Sequence, residues 1–473
     1  MAAHGHRGMT ARDAQTRAEL IAATDRSMLV EAAAGTGKTT LIVDRMLHGV
    51  RNGSLRLSSA VAITFTEKAA GEMKFRLRAG LSEALHQAGP ATEERDRLQI
   101  AIEEMDRANI STIHAFCARI LKEKSAEAGV DPEFSVMDPT AAEVLRERCW
   151  REWMDRQVAQ QPAALVEALR AGVSAAHLKE LASALTNAPE LLDDPQFRLP
   201  VPAQSRDELT AAVFELAPAA AEMFRRHMSR QGNEHSRRLR RLVEETVAAG
   251  ASDAAGVRRR AYGVAGVPVE KALTSINRDV REEAGRLLGE LNAAAMGLGA
   301  HLAAEAFGWL AGFVGYYREA KLSRSVLDFQ DLLLLTARLL RRNPAVRRYF
   351  QHRFEAFFVD EFQDTDPLQA ELIAYLCEDG AGRPAQRMAD VQLQDGKLFV
   401  VGDPKQSIYR FRRADVQVYD RFKGLFGAAS AGEGGTRRIF CNFRSTPRLL
   451  GWFNGLFERL FLRPAEPGVY QAE

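Results

Sequence analysis

Cysteine is scarce in this chain and widely scattered. The four residues, Cys117, Cys149, Cys377 and Cys441, form no CxxC pair within 473 residues. That excludes zinc-ribbon and iron–sulfur spacings and favours reduced core thiols over a disulfide framework. No stretch approaches the roughly 20 uninterrupted apolar residues of a membrane span, and Met1 to Thr10 lacks the apolar core of a secretory signal. Internal repeats and long low-complexity linkers are absent too. So is a charge excess: 64 Lys+Arg stand against 62 Asp+Glu, a formal charge of +2. Contact with nucleic acid would therefore have to come from a local groove and not from global attraction. What is present is an ordinary globular composition, 46% hydrophobic and 27% charged, in a length that allows two to four domains at about 100–200 residues each.

The pattern falls into three blocks. Up to residue 125, short β-branched runs alternate with helical patterns: Ser27 to Glu31 before a Gly-rich turn and Leu41 to Leu47, then Ala60 to Phe65 before Ala69 to Leu77. This predicts parallel strands with crossover helices. Between about 126 and 322 the chain is rich in Ala, Leu, Arg and Glu with helical periodicity and almost no strand-like runs. Strand character then returns at Glu355 to Val359 and Lys397 to Val401, apolar runs that end in acidic or Gly-Asp turns. The expected fold class is α/β, one parallel sheet flanked by helices and interrupted by a mostly helical insertion. The insertion carries basic clusters at Arg225-Arg226, Arg237-Arg238, Arg240-Arg241 and Arg258-Arg259-Arg260. Two readings stand open: a solvated face balanced by Glu234, Glu244 and Glu245, or a surface that tracks phosphates.

The strongest local signal is Ala32-Ala33-Ala34-Gly35-Thr36-Gly37-Lys38-Thr39-Thr40, between a predicted strand and a predicted helix. Gly35 and Gly37 let backbone N–H groups turn toward phosphate oxygens. The helix N-terminus adds partial positive charge and Lys38 a full one. The Thr39 hydroxyl is placed to ligate Mg²⁺. Ala32 occupies the position where GxxxxGK[ST] has its first Gly. A nucleotide site also needs an acidic pair at a buried strand end, and Phe357-Phe358-Val359-Asp360-Glu361 supplies one. Asp360 would hold Mg²⁺, and Glu361 would orient and deprotonate the attacking water. ATP and Mg²⁺ are the expected cofactors, with Lys38, Asp360 and Glu361 at the centre of catalysis.

Longer strings extend the pattern. Asp360-Glu361-Phe362-Gln363-Asp364-Thr365-Asp366-Pro367-Leu368-Gln369 resembles motif II of superfamily 1 helicases in its RecB/AddA form, and Gly402 to Asp415, with Gln406, Tyr409 and Phe411, resembles motif III. Thr64 to Ala70 resembles motif Ia, Ser111 to Cys117 the next DNA-contact motif, and Asn442-Phe443-Arg444-Ser445 motif IV. Their order and spacing cover almost the whole chain. On these strings the chain resembles the N-terminal part of a UvrD-like helicase of the RecB/AddA branch.

The resemblance implies a P-loop NTPase (RecA-like) sheet: residues 1–125 as the first part of domain 1A, 126–322 as helical insertion 1B, 323–440 as the second part of 1A, and 441–473 as the start of a truncated domain 2A. The segment Leu327 to Leu333 resembles the return from 1B to 1A. The resemblance implies that Gln406 and Arg444 touch the γ-phosphate, that Phe443 stacks on adenine and that Gln15 reads the base. It likewise places Phe65, Thr66, Lys68, Thr112, His114, Tyr409 and Phe411 against single-stranded DNA. The rings suit base stacking, worth about 1–3 kcal/mol per base, and the polar groups suit the sugar–phosphate backbone. Where related helicases commonly carry Trp in motif III, this chain has Phe411.

Motifs V and VI and the RecB/AddA nuclease have no counterpart in the sequence. The expected helix Thr446 to Leu462 presents Leu449, Leu450, Phe453, Leu456, Phe457, Leu460 and Phe461 as an apolar stripe in need of a partner. Two functions therefore stay open. One is an ATP-dependent 3′→5′ DNA helicase of recombinational repair, present here as its N-terminal portion. The other is a module that binds ATP and single-stranded DNA without autonomous helicase activity. Expected partners are DNA, at a single/double-strand junction, and a second helicase/nuclease subunit or the missing half; the expected compartment is the bacterial cytoplasm.

Overall fold

In the computed structural model the described residues are 11–460, apart from 91, 193–197, 229–231, 251–252, 381, 411–412 and 430–434. The chain divides into two units, one made of residues 1–135 and 331–473, the other of residues 136–330.

The first unit is built on a six-stranded sheet. Helix α1 (Ala11–Ala22) precedes strand β1 (Met28–Ala32), followed by α2 (Lys38–Asn52), β2 (Ala60–Thr64), α3 (Glu67–Gln87), β3 (Asn109–Thr112) and α4 (Ile113–Glu123). After the second unit come β4 (Ala356–Val359), β5 (Leu398–Gly402) and β6 (Thr436–Ile439). The spatial order is β3-β2-β4-β5-β1-β6, and every neighbouring pair is parallel. Every residue of β2, β4 and β5 is buried, as expected of parallel strands covered by helices on both faces. The predicted runs at 27–31, 60–65, 355–359 and 397–401 therefore become central strands, with ends shifted by a residue or so. Leu41, Ile42 and Met46 of α2 and Met73, Leu77 and Leu81 of α3 pack into one core with Val30, Ala62, Phe358 and Phe399.

The topology decides where chemistry can sit. Parallel strands deliver all their carboxyl ends to one edge of the sheet, and loops there converge. The loops after β1, β2, β3, β4, β5 and β6 carry Gly35–Thr39, Thr66–Lys68, Thr112, Asp360–Glu361, Asp403–Gln406 and Asn442–Arg444. Apart from Leu327 to Leu333, each motif string singled out in the sequence thus has described residues at that edge. Beyond it, helix Pro447–Leu460 leaves Leu449, Trp452, Phe453, Leu456, Phe457 and Leu460 exposed. The predicted stripe is present there; Phe461 lies outside the described residues.

The second unit is helical. Helices α5 (Pro139–Gln160), α6 (Arg206–His227) and α7 (Arg281–Leu322) are its longest. The 42 residues of α7 run about 63 Å at 1.5 Å per residue. They serve two cores: Leu288, Leu291, Ala295 and Leu298 pack with Val213, Ala217 and Phe224 of α6, and Leu310, Phe313 and Tyr317 pack with Trp150 and Trp153 of α5. Of the basic clusters, Arg225 and Arg226 both pair with Glu222, Arg240 with Glu244, and Arg258 with the buried Glu167. Arg237 and Arg260 donate to the backbone carbonyls of Gly232 and Gly256. These partners support the charge-balanced reading over the phosphate-tracking one.

Phe313 is 1% exposed, and its ring lies 5.1 Å from that of Trp150 and 5.5 Å from that of Trp153. Phe313→Ala is expected to cost this unit about 3–5 kcal/mol. Three of the four tryptophans belong to this cluster, so urea unfolding followed by tryptophan emission reads the loss directly.

Candidate nucleotide and nucleic-acid site

The turn after β1 adopts a left-handed conformation at Gly35 (φ +76°) and Gly37 (φ +78°) only. Ala32 is still extended strand, in register with Ile439 of β6, so no glycine is needed there and the departure from the consensus costs nothing. Thr36 closes the turn by donating its hydroxyl to the Ala33 carbonyl at 2.7 Å. The stretch after β6 then lies down on the turn. Asn442 Nδ2 donates to the Ala34 carbonyl (2.7 Å), and the Phe443 N–H donates to the Gly35 carbonyl (2.8 Å). A Cβ on Gly35 would stand 2.7 Å from the Cβ of Arg444, so glycine is required there by both backbone angle and contact.

Two side-chain pairs join the ends of β1 and β4. Lys38 Nζ donates to Glu361 Oε2 at 2.6 Å, and Thr39 Oγ1 donates to Asp360 Oδ2 at 2.7 Å. Glu361 holds a left-handed backbone (φ +52°), an uncommon conformation for a non-glycine residue that often marks functional sites. Burial pushes the Asp360 carboxyl above its ordinary range although Thr39 bonds it, and the neighbouring Glu361 charge pushes the same way. Burial, then the Glu361 charge, raise Asp364 to about 6. A cation beside Asp360 would relieve that cost. The donors at hand are hard oxygens, which suit Mg²⁺. Among the described residues no group of three or more His, Cys, Asp or Glu could hold a metal, so the protein would supply Thr39 and Asp360, with phosphate and water oxygens completing the shell.

An open cleft of about 340 Å³ is lined by Gly35, Gly37, Lys38, Thr39, Thr40, Glu361, Phe443 and Arg444. Glu72 and Arg76 of α3 line it too; sequence reading missed both. Arg76 donates to the Thr40 hydroxyl at 3.1 Å and pairs with Glu72. Gln15 does not line this cleft: it is exposed on α1, and its amide donates to Glu19 Oε1 at 2.9 Å.

A polar chain leads away from the acidic pair. Gln363 Nε2 donates to Glu361 Oε2 (2.7 Å), while Gln363 Oε1 accepts the Asp403 N–H (2.8 Å). Asp403 Oδ2 in turn accepts Gln406 Nε2 at 2.5 Å, and the Ser407 hydroxyl donates to the Gln363 carbonyl. Gln363 is 3% exposed and bridges the loops after β4 and β5. It stands inside a motif string, but nothing local marks it as the bridge.

On the other side of that loop, the Tyr409 and Phe65 rings lie 4.8 Å apart at 36°. Two of the three candidate stacking rings thus form one aromatic pair. Phe411 lies outside the described residues. Thr66 and Thr112 cap α3 and α4, accepting the N–H groups of Ala69 and Ala115, and the Thr112 hydroxyl donates to Glu67. Lys68 is exposed in the first turn of α3.

Burial lowers His114 to about 4, so its ring is neutral at physiological pH. The unfolded chain takes up this proton near pH 6.5 and the folded one only near 4; stability therefore falls as pH drops through that window. His114→Gln is expected to make the acid loss of stability between pH 7 and pH 4.5 smaller by on the order of 2 kcal/mol, as measured by urea unfolding followed by circular dichroism.

Residues 13–427 match the UvrD/REP helicase N-terminal domain. The ATP-dependent helicase/nuclease A subunit of Listeria monocytogenes serotype 4b (strain F2365) is 26% identical over 93% of this chain and 38% of its own length. The protein of that name from Geobacillus kaustophilus (strain HTA426) is 28% identical over 95% of this chain and 40% of its own. The chain thus spans about 38–40% of the length of these curated relatives. With the family match covering most of its residues, the chain belongs to the UvrD/REP helicase family and carries that family's N-terminal domain.

Proposed function

We propose that this chain is the ATP- and DNA-gripping part of a 3′→5′ DNA helicase of recombinational repair. The observation that carries the reading is the pairing of Lys38 with Glu361 and of Thr39 with Asp360 at one cleft, continued through Gln363 to Asp403 and Gln406. ATP phosphates entering the cleft compete with Glu361 for Lys38. Glu361, released from the ion pair, is then placed to orient the attacking water and take its proton. Lys38 and Arg444 stabilise the charge that develops on the transferred phosphoryl group. Mg²⁺ held by Thr39 and Asp360 would neutralise phosphate charge and fix its orientation.

Single-stranded DNA is assigned to the edge carrying Phe65, Tyr409, Thr66, Lys68, Thr112 and His114, with the aromatic pair as the stacking platform. Thr66 and Thr112 cap helices whose N-terminal N–H groups suit phosphates. Residues 1–125 and 323–440 are assigned to domain 1A, 126–322 to insertion 1B and 441–473 to the start of domain 2A, whereas the compact units part at 135/136 and 330/331. The exposed face of helix Pro447–Leu460 is assigned to the second RecA-like domain of the motor or to a partner protein of a helicase/nuclease complex. A second reading is a module that binds ATP and single-stranded DNA without turning over; the feature in its favour is that the cleft is lined from a single sheet unit.

ATP hydrolysis by the chain, with and without single-stranded DNA, separates the two. The helicase reading expects DNA-stimulated turnover that Glu361→Gln reduces by about a hundredfold or more with ATP binding retained, and that Lys38→Ala abolishes through lost nucleotide binding. Binding of both ligands without turnover favours the module. Unchanged ATP affinity and turnover in Lys38→Ala would overturn the phosphate-site assignment itself.

A further inference from the structure

Behind the base-side wall of the cleft lies a cation that none of the motif strings contains. Arg17, on α1, has a side chain only 14% exposed. Its guanidinium carbon stands 5.1 Å from the centroid of the Phe443 ring. Nη2 donates to the Thr36 carbonyl in the phosphate-binding turn at 2.6 Å, and Nε donates to Asp13 Oδ2 at 3.0 Å. The other oxygen of Asp13 accepts the Phe440 N–H at 2.9 Å. One guanidinium therefore ties together α1, the turn after β1 and the stretch that carries Phe443 and Arg444. Phe443 is 45% exposed, and its ring edge stands about 4.0 Å from where a Cβ on Gly37 would be.

A planar guanidinium on one face of an aromatic ring is attracted by the ring quadrupole and restricts its rotation. A second planar group would then stack on the opposite face. Because the same guanidinium anchors the turn at Thr36, the distance between the ring and the phosphate site is fixed before any ligand arrives, which lowers the ordering cost of binding.

We propose that Arg17 is a positioning residue for the nucleotide base: it holds Phe443 ready to stack on the adenine and sets that ring at a fixed distance from the phosphate turn. The proposal rests on the assignment of this cleft to ATP with Phe443 against the base. Lysine cannot replace arginine here, since an ammonium reaches the Thr36 carbonyl but offers no plane to the ring.

Calorimetric titration of the full chain with ATP and, separately, with inorganic tripolyphosphate tests this. Arg17→Lys, which keeps a donor to Thr36, is expected to weaken ATP binding by about tenfold with tripolyphosphate affinity within about twofold of the parent; Arg17→Ala is expected to weaken ATP by at least as much and more than it weakens tripolyphosphate. Retained tripolyphosphate binding also shows that the variant is folded; should Arg17→Ala fail to fold, Arg17→Lys decides. Equal losses for both ligands, or no loss for either, overturn the proposal. Phe443→Ala is the separate arm for the underlying assignment. If it leaves ATP affinity unchanged, base stacking on Phe443 is wrong; if it weakens ATP while the Arg17 variants do not, only the role of Arg17 falls.

Discussion

The structure of the site depends on opposite charges brought together by parallel strands. Lys38 begins the helix after β1, and Glu361 follows β4, 323 residues later; only the sheet makes them neighbours. Lys38 is 8% exposed on its side chain while Glu361 is 37% exposed, so the lysine bears most of the desolvation cost and needs an anionic partner. Glu361 is that partner in the free protein. A triphosphate carries more negative charge than one carboxylate, so under the proposed function the ion pair is a resting arrangement that ATP exchanges.

The hydrogen bonds around Gln363 give that exchange somewhere to go. A carboxamide can donate with one end and accept with the other. Gln363 uses its donor on Glu361 and its acceptor on the Asp403 N–H. Any shift of Glu361 therefore alters a bond network whose other end is the loop holding Gln406 and Tyr409. Phe65 meets Tyr409 there, so the loop links the acidic pair, proposed to face ATP, to the aromatic pair, proposed to face single-stranded DNA. Under the proposed function, these contacts are where coupling between the two ligands would act.

Much of this was legible in the sequence, for reasons that differ by residue. The strands at 28–32, 60–64, 356–359 and 398–402 could be read because buried parallel strands appear as short apolar runs. Lys38, Thr39, Asp360 and Glu361 could be read because each belongs to a local string whose chemistry is explicit. Arg17, Glu72 and Arg76 could not: they are ordinary charged residues on exposed-looking helices, and only tertiary packing brings Glu72 and Arg76 to the cleft and Arg17 against Phe443. Gln363 was visible as a letter of a motif but not as a bridge, since its partner beyond Glu361, the Asp403 N–H, lies in a loop 40 residues on. The basic clusters of the insertion looked ambiguous because one acidic partner, Glu167, belongs to another helix, 91 residues from Arg258.

The most direct test of the account is the effect of a non-hydrolysable ATP analogue on single-stranded DNA affinity, compared between the parent chain and Gln363→Ala. Coupled sites typically interact by about 1–3 kcal/mol. The account predicts that the analogue changes the DNA Kd of the parent by about fivefold or more, and that Gln363→Ala removes this change while binding each ligand alone as the parent does. Full coupling in Gln363→Ala would contradict it.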